Sequence, residues 1–110
     1  MAEKVIALAC NAGMSTSLLV RKMQDAAKAK GRDYLIYAKT AADVDNMLAG
    51  FEAERPDVLM IGPQIGYLKK EIQKKTDAAG VPMDVINMQD YGMMKGDKVL
   101  AAAEKLMGIV

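Results

Sequence analysis

The only cysteine of the chain, Cys10, is its strongest candidate for covalent chemistry. It ends an apolar segment and precedes a short turn and the start of a predicted helix. The residues that follow it are Asn11, Ala12, Gly13, Met14, Ser15, Thr16 and Ser17. Such a turn directs successive backbone N–H groups at one point, which makes an anion site without a cationic side chain. The same field stabilises a thiolate, so we expect Cys10 to be a nucleophile in phosphoryl transfer through a phosphocysteine.

The same segment also has a purely structural interpretation. A lone cysteine is more often a small buried apolar residue than a nucleophile. Hydroxyl residues at the start of a helix are ordinary caps. The position of Cys10, directly before a glycine turn and a helix start with three hydroxyl residues, favours the nucleophile.

Four short apolar segments and four helical patterns alternate along the chain. The strands are predicted at residues 4–9, 34–38, 57–61 and 83–87, and they are apolar throughout, which is typical of strands covered on both faces. Helical periodicity predicts helices over residues 16–30, 41–48, 64–79 and about 96–107. Alternation of this kind predicts an α/β fold, with one four-stranded parallel sheet between helices on both faces. Right-handed crossovers favour strand order 2-1-3-4, a flavodoxin-like arrangement in one domain over residues 1–110.

This topology brings a second loop to Cys10. Ligands of open parallel sheets bind at the carboxyl ends of the strands, where the strand order reverses. In a 2-1-3-4 sheet that point lies between strands one and three. The loop after strand three is Gly62-Pro63-Gln64-Ile65-Gly66, and we expect it to flank the loop after Cys10.

Composition excludes several classes of function. With 110 residues and a net charge of +1, the chain gives no indication of binding nucleic acid or an anionic membrane surface. No apolar run approaches the ~20 residues that span a bilayer. The absence of histidine removes the most frequent metal ligand and general base. A single cysteine excludes an internal disulfide and suits a reducing compartment, so we expect a cytoplasmic protein with no metal and no cofactor.

The segment VIALACNAGMSTS, residues 5–17, resembles the active-site segment of the enzyme IIB components of the bacterial sugar phosphotransferase system, lactose/cellobiose class. The length, the strand order and Gly62-Pro63-Gln64-Ile65 also resemble that class. The resemblance implies that Cys10 accepts a phosphoryl group from a histidine of enzyme IIA. It then donates the group to a sugar of the cellobiose, lactose or chitobiose class, held by the membrane-embedded enzyme IIC. Residues 11–17 would form the phosphate loop, and the partners would supply the remaining chemistry.

Residues at the rim of the predicted site are candidates for partner contact. Gln64 and Ile65 either shape the site or touch enzyme IIA, or they only follow Pro63 into the third helix. Tyr91, with Met93 and Met94, follows strand four and is expected on the same rim, where exposed Tyr and Met suit docking. For at least one of the two methionines, we expect a position in the core as readily as one in a docking surface. A shuttle that serves two partners in turn is expected to be a monomer.

Two other functions remain as alternatives to the phosphoryl carrier. Low-molecular-weight tyrosine phosphatases and related arsenate reductases also place a cysteine after strand one, in a loop that resembles Cys-x5-Arg. Here Thr16 stands where the arginine would be, Arg21 lies too far into the helix, and Asp90 is the candidate general acid. The third interpretation is a redox-sensing or structural domain, which a buried Cys10 with an ordinary thiol would favour.

Overall fold

The apolar segments of the sequence form the strands of one parallel sheet. A computed structural model describes residues 3–11, 13–51 and 54–109, and of residues 13–15 the backbone alone. The strands are β1 (Lys4–Cys10), β2 (Tyr34–Thr40), β3 (Val58–Ile61) and β4 (Met83–Val85). Their order is β2-β1-β3-β4 with parallel pairing throughout, which confirms the predicted topology. The two central strands, β1 and β3, are buried almost completely because helices cover both of their faces.

In the described part of the chain, five α-helices connect and cover the strands. They are α1 (Gly13–Ala29), α2 (Val44–Ala49), α3 (Lys69–Ala79), α4 (Met88–Gly92) and α5 (Gly96–Leu106). Short 3-10 turns at Ala41–Asp43 and Pro63–Leu68 precede α2 and α3. Among the described residues, no helix is both long and apolar enough to cross a bilayer.

Two helix predictions need correction. The third helix was predicted from residue 64, but Pro63–Leu68 forms a 3-10 segment in which Ile65 has non-helical φ and ψ angles of −113° and 23°. Gly66 in this segment has low helix propensity, which disfavours a regular first turn. The short helix α4 was not predicted, because five residues are too few for a periodic apolar pattern. Asn87 caps α4, since its side-chain oxygen accepts hydrogen bonds from the N–H groups of Gln89 and Asp90.

Alternation along β1 divides the core into two layers. Ile6 and Leu8 belong to the cluster that contains the buried residues of α1, α4 and α5, whereas Ala7 and Ala9 belong to the cluster of α2 and α3. Every one of these four side chains has no exposed area. The sheet is therefore packed on both faces up to its carboxyl edge, where β1 ends in Cys10.

Candidate functional site at Cys10

Cys10 lies at the carboxyl edge of the sheet, where the loop that follows it meets the loop of residues 62–66. It is the last residue of β1, and α1 begins three positions later at Gly13. Its register partner on β2 is Thr40. On the side of β3, the N–H of Gly62 donates to Ala9 O at 2.9 Å, which holds the start of the 62–66 loop against the end of β1. The point between strands one and three is therefore built as expected.

A small cleft opens beside Cys10 on the side of β2. Its volume is about 220 Å³. Besides Cys10, it is lined by Ser17, Ala38, Lys39, Thr40 and Asp43. The Thr40 hydroxyl donates to Asp43 Oδ2 at 3.2 Å, which ties the end of β2 to the turn before α2. Cys10 itself is 2% exposed although it is one of the residues that line this cleft.

Lys39, Thr40 and Asp43 were not among the residues that the sequence singled out. The signal for them was available, because parallel pairing of strands one and two brings the end of strand two beside Cys10. The predicted strand two ended at residue 38, however, whereas β2 continues to Thr40. That shortening left Lys39 and Thr40 outside the predicted strand.

The predicted phosphate loop is described in part. Ala12 lies outside the described residues, as do the side chains of Met14 and Ser15. Asn11 and Ser17 are exposed, whereas Thr16 is only 1% exposed. The hydroxyl oxygen of Thr16 lies 3.1 Å from that of Tyr91. Thr16 is thus a buried residue of the first turn of α1 rather than a surface hydroxyl.

Two of the three candidate partner-contact residues are buried, contrary to an exposed position on the rim. Ile65 is 1% exposed and packs in the cluster of α2 and α3, and Tyr91 is 7% exposed in the opposite cluster. The aromatic ring of Tyr91 is buried because it packs in the cluster of α1, α4 and α5, and its hydroxyl group forms a hydrogen bond with that of Thr16. Gln64 is exposed, and its contact with a partner stays a prediction.

Exposed apolar side chains nevertheless lie near these loops. Met88 is 75% exposed and lines a cavity of about 270 Å³ with Pro63, Gln64, Tyr91 and Gly92. Met93 is 60% exposed, and its place in a docking surface stays a prediction, whereas Met94 packs against the core.

The residues that a phosphatase would need are not assembled around Cys10. Thr16 is buried where that family has arginine, and Arg21 is exposed on α1. Asp90 lines a different cavity, of about 640 Å³ between β4 and α5, whose lining does not include Cys10. Within residues 3–11, 13–51 and 54–109, no group of three or more His, Cys, Asp or Glu side chains could hold a metal ion.

Comparison with known proteins identifies relatives over nearly the whole chain. The family model described as "PTS system, Lactose/Cellobiose specific IIB subunit" matches residues 5–102. Two relatives, each 69% identical over 107 residues, cover 97% of this chain and 99% of their own length. They are the PTS system galactose-specific EIIB component of Lactococcus lactis subsp. cremoris (strain MG1363) and the cellobiose-specific EIIB component of Lactococcus lactis subsp. lactis (strain IL1403). The oligo-beta-mannoside-specific EIIB component of Bacillus subtilis (strain 168) is 41% identical over 104 residues, 94% of this chain and 96% of that protein.

Solved structures share the fold. The solution structure of the cellobiose-specific phosphotransferase IIB component from Borrelia burgdorferi is 35% identical, with a TM-score of 0.75 over 96% of this chain and 92% of that one. The lactose-specific IIB domain of Streptococcus pneumoniae superposes with a TM-score of 0.77 over 94% of this chain and 96% of that one. Its 14% identity makes it evidence for the fold alone.

The matches to the family and to these relatives extend over the strand, the loop and the helix that surround Cys10. IIB components act as phosphotransferases in sugar uptake and work with IIA and IIC partners. The chain belongs to the family of lactose/cellobiose-specific IIB subunits of the PTS.

Proposed function

We propose that Cys10 is the phosphoryl carrier of this IIB subunit. It accepts a phosphoryl group from a phosphohistidine of enzyme IIA and passes it to a sugar bound by the membrane enzyme IIC during uptake. The observation that carries the proposal is the position of Cys10. It ends a buried central strand and stands three residues before the N-terminus of the 17-residue helix α1.

The position supports this chemistry for an electrostatic reason. The N–H groups of the first turn of a helix have no partner within that helix, and the helix dipole places partial positive charge there. Both features stabilise a thiolate and, after transfer, the oxygens of a phosphoryl group. Residues 11–17 are the proposed phosphate loop, in which the backbone does most of the binding.

Two transfers complete the proposed cycle. In the first, the Cys10 thiolate attacks phosphorus, the S–P bond forms, and the N–P bond to the donor histidine breaks. In the second, a sugar hydroxyl attacks the same phosphorus, its proton goes to a base on the IIC side, and the S–P bond breaks to return the thiolate. A carrier of this kind has to resist water between the two steps, so it needs no general base of its own beside Cys10.

Sugar selectivity is proposed to reside in enzyme IIC. Two relatives with the same 69% identity to this chain are named for different sugars, galactose and cellobiose. A third, at 41%, is named for oligo-beta-mannosides. Since similarity to this chain does not separate the first two names, the IIB sequence gives little information about the sugar.

The experiment that tests the carrier is intact-protein mass spectrometry. The chain is incubated with phosphoenolpyruvate, the general phosphotransferase proteins and a matching enzyme IIA. We expect a gain of one phosphoryl group that is absent from Cys10→Ser and from reactions without enzyme IIA. Adding membranes that contain a matching enzyme IIC and its sugar should remove the group and yield sugar phosphate.

The alternatives give different results in the same assay. A phosphatase would hydrolyse a generic aryl phosphate and take up no phosphoryl group from any enzyme IIA. A redox-sensing or structural cysteine would do neither, and the burial of Cys10, which is 2% exposed, is the observation that favours this alternative. Thr76→Val, which alters a buried hydroxyl of α3, serves as the control for general loss of structure.

A further inference from the structure

Two buried hydroxyl groups join the helix that follows Cys10 to the short helix after β4. Thr16 lies on the first turn of α1 and Tyr91 on α4, and their hydroxyl oxygens are 3.1 Å apart. The residues are 1% and 7% exposed, so water has little access to the pair. They are 75 positions apart in the chain, and their hydrogen bond is therefore a tertiary contact.

Burial makes this hydrogen bond difficult to replace. A hydroxyl removed from water without a partner costs free energy. Among the described residues, no buried side-chain nitrogen or oxygen lacks a hydrogen-bond partner. The mutual hydrogen bond of Thr16 and Tyr91 contributes to that state, so it holds the first turn of α1 at a fixed distance from α4.

Tyr91 is itself held firmly enough to act as a support. Its side chain belongs to the buried cluster that includes Leu19 of α1 and Leu100 of α5. Its backbone N–H donates to Asn87 O at 2.9 Å, and the Asn87 side chain caps the same helix. The packing of the ring and the capping of α4 therefore fix the position of the Tyr91 hydroxyl beside Thr16.

We propose that Tyr91 is a positioning residue for phosphoryl transfer: through Thr16, it holds the first turn of α1 where its N–H groups receive the phosphoryl group on Cys10. This inference rests on the proposed function, and Tyr91 acts through Thr16 rather than by contact with the phosphoryl group. Displacements of about 1 Å at a reacting centre can reduce rates by about 100-fold. Loss of the hydrogen bond should therefore slow transfer, in addition to lowering the stability of the fold.

The test compares Tyr91→Phe, Thr16→Val and the double variant with the wild-type chain. The readouts are the rate of transfer from phosphorylated enzyme IIA, measured by quenched-flow mass spectrometry, and the ³¹P chemical shift of the phosphocysteine. We expect each single variant to accept the phosphoryl group at least about 10-fold more slowly than the wild type and to shift the ³¹P signal. The double variant should be no slower than the slower single variant, because both remove one interaction. Thr16→Ser, which retains the hydroxyl, should restore the rate.

Two matched variants control for the loss of a hydroxyl elsewhere. Tyr34→Phe removes a tyrosine hydroxyl at the first position of β2, six residues or about 20 Å along the strand from Thr40 beside Cys10. Thr76→Val removes a buried threonine hydroxyl that donates to Gln73 O within α3. Both should lower the melting temperature and leave the transfer rate of the folded protein and the ³¹P shift unchanged.

The outcomes separate this inference from the proposed function. A wild-type chain that takes up no phosphoryl group would overturn both. A phosphorylated wild type with Tyr91→Phe equally fast and with the same ³¹P shift would overturn the positioning role alone. Additive effects of Tyr91→Phe and Thr16→Val would also overturn it, since they would mean that the two hydroxyls act separately.

Discussion

Glu104 Oε2 accepts a 2.6 Å hydrogen bond from the hydroxyl of Tyr34, at the opposite end of the sheet from Cys10. Lys30 Nζ donates to the other carboxylate oxygen of Glu104 at 2.8 Å. Glu104 is 2% exposed, so the two donors satisfy a carboxylate that has been removed from water. This cluster joins α5 to β2 and to the residue that follows α1.

Replacing Glu104 should destabilise the fold without changing the site at Cys10. In Glu104→Gln the charge is lost and an amide N–H group faces the donors, so we expect the free energy of unfolding to fall by about 1–3 kcal/mol. Burial raises the pKa of Glu104, but the hydrogen bonds from Lys30 and Tyr34 and the charges of Lys30 and Arg32 give a net pKa below the ordinary 4.5. A carboxylate with a lowered pKa in the folded protein stabilises it above pH 4.5, and that contribution is lost as the pH falls through the folded-state value.

Urea unfolding at neutral pH and at pH values below 4.5 measures this effect. The difference between the wild type and Glu104→Gln should shrink in acid. The exposed carboxylate of Asp25 provides the control, because Asp25→Asn should change the free energy of unfolding by no more than about 0.5 kcal/mol. An unchanged difference across the pH range would contradict the prediction.

Tyr34 should make the folded protein sensitive to alkali. Burial, followed by the hydrogen bond to Glu104 and its charge, raises the pKa of Tyr34 from 10.0 to about 12. Between these values the unfolded chain has lost the tyrosine proton and the folded protein retains it, so stability falls as the pH rises. Thermal melts from pH 9 to 12 should show this loss in the wild type and a smaller loss in Tyr34→Phe.

The controls for the alkaline melts use a second tyrosine. Tyr67 is 80% exposed, so Tyr67→Phe should follow the wild-type curve. Tyr34→Phe should also be less stable at neutral pH, by about 1.5–3 kcal/mol, since a hydrogen bond to a charged group is lost. Parallel curves for Tyr34→Phe and the wild type would show that Tyr34 has the same affinity for its proton in both states.

Gly96 is required where α5 begins against α1. A Cβ at this position would lie 2.5 Å from the backbone carbonyl carbon of Lys22 and 2.7 Å from the backbone nitrogen of Met23. Backbone atoms of a long helix cannot move aside cheaply, so Gly96→Ala should lower the free energy of unfolding by about 1–3 kcal/mol. In Gly92→Ala, by contrast, the Cβ meets nothing within 4 Å. Chemical denaturation of both variants would reveal the difference, and equal stabilities would contradict the close approach of the helices.

The sheet could be predicted because each strand is marked by a local apolar segment, and because the alternation of strands and helices points to the same fold. β1 and β3 are continuous apolar runs bounded by polar or turn residues, and alternation with helices leaves few topologies. The burial of Tyr91 was not predictable in this way. Tyrosine suits both surfaces and interiors, and its partner Thr16 is 75 positions away. The 3-10 segment at Pro63–Leu68 was missed because apolar spacing alone does not distinguish it from an α-helix.

Gly62→Ala offers a way to move the Gln64 carboxamide without deleting it. A Cβ on Gly62 would lie 2.6 Å from Gln64 Oε1 and 3.7 Å from Cys10 Cβ, so the carboxamide and Cys10 flank the same small space. The φ and ψ angles of Gly62, −65° and 148°, are ordinary for alanine. Because the close atom ends a flexible side chain, Gln64 can swing away. The free energy of unfolding should therefore change by less than about 1 kcal/mol.

If Gln64 contacts enzyme IIA, as predicted, Gly62→Ala and Gln64→Ala should slow transfer from phosphorylated enzyme IIA to a similar extent. Loss of one hydrogen bond of about 1 kcal/mol corresponds to about fivefold. Gly66→Ala is the matched control in the same loop, since its Cβ meets nothing within 4 Å, and it should transfer at the wild-type rate. A wild-type rate in Gln64→Ala would show that the carboxamide has no part in the transfer. A slow Gly62→Ala in the same experiment would then mean that the added methyl group acts on the end of β1, where Ala9 O and Cys10 Cβ each lie 3.7 Å from it.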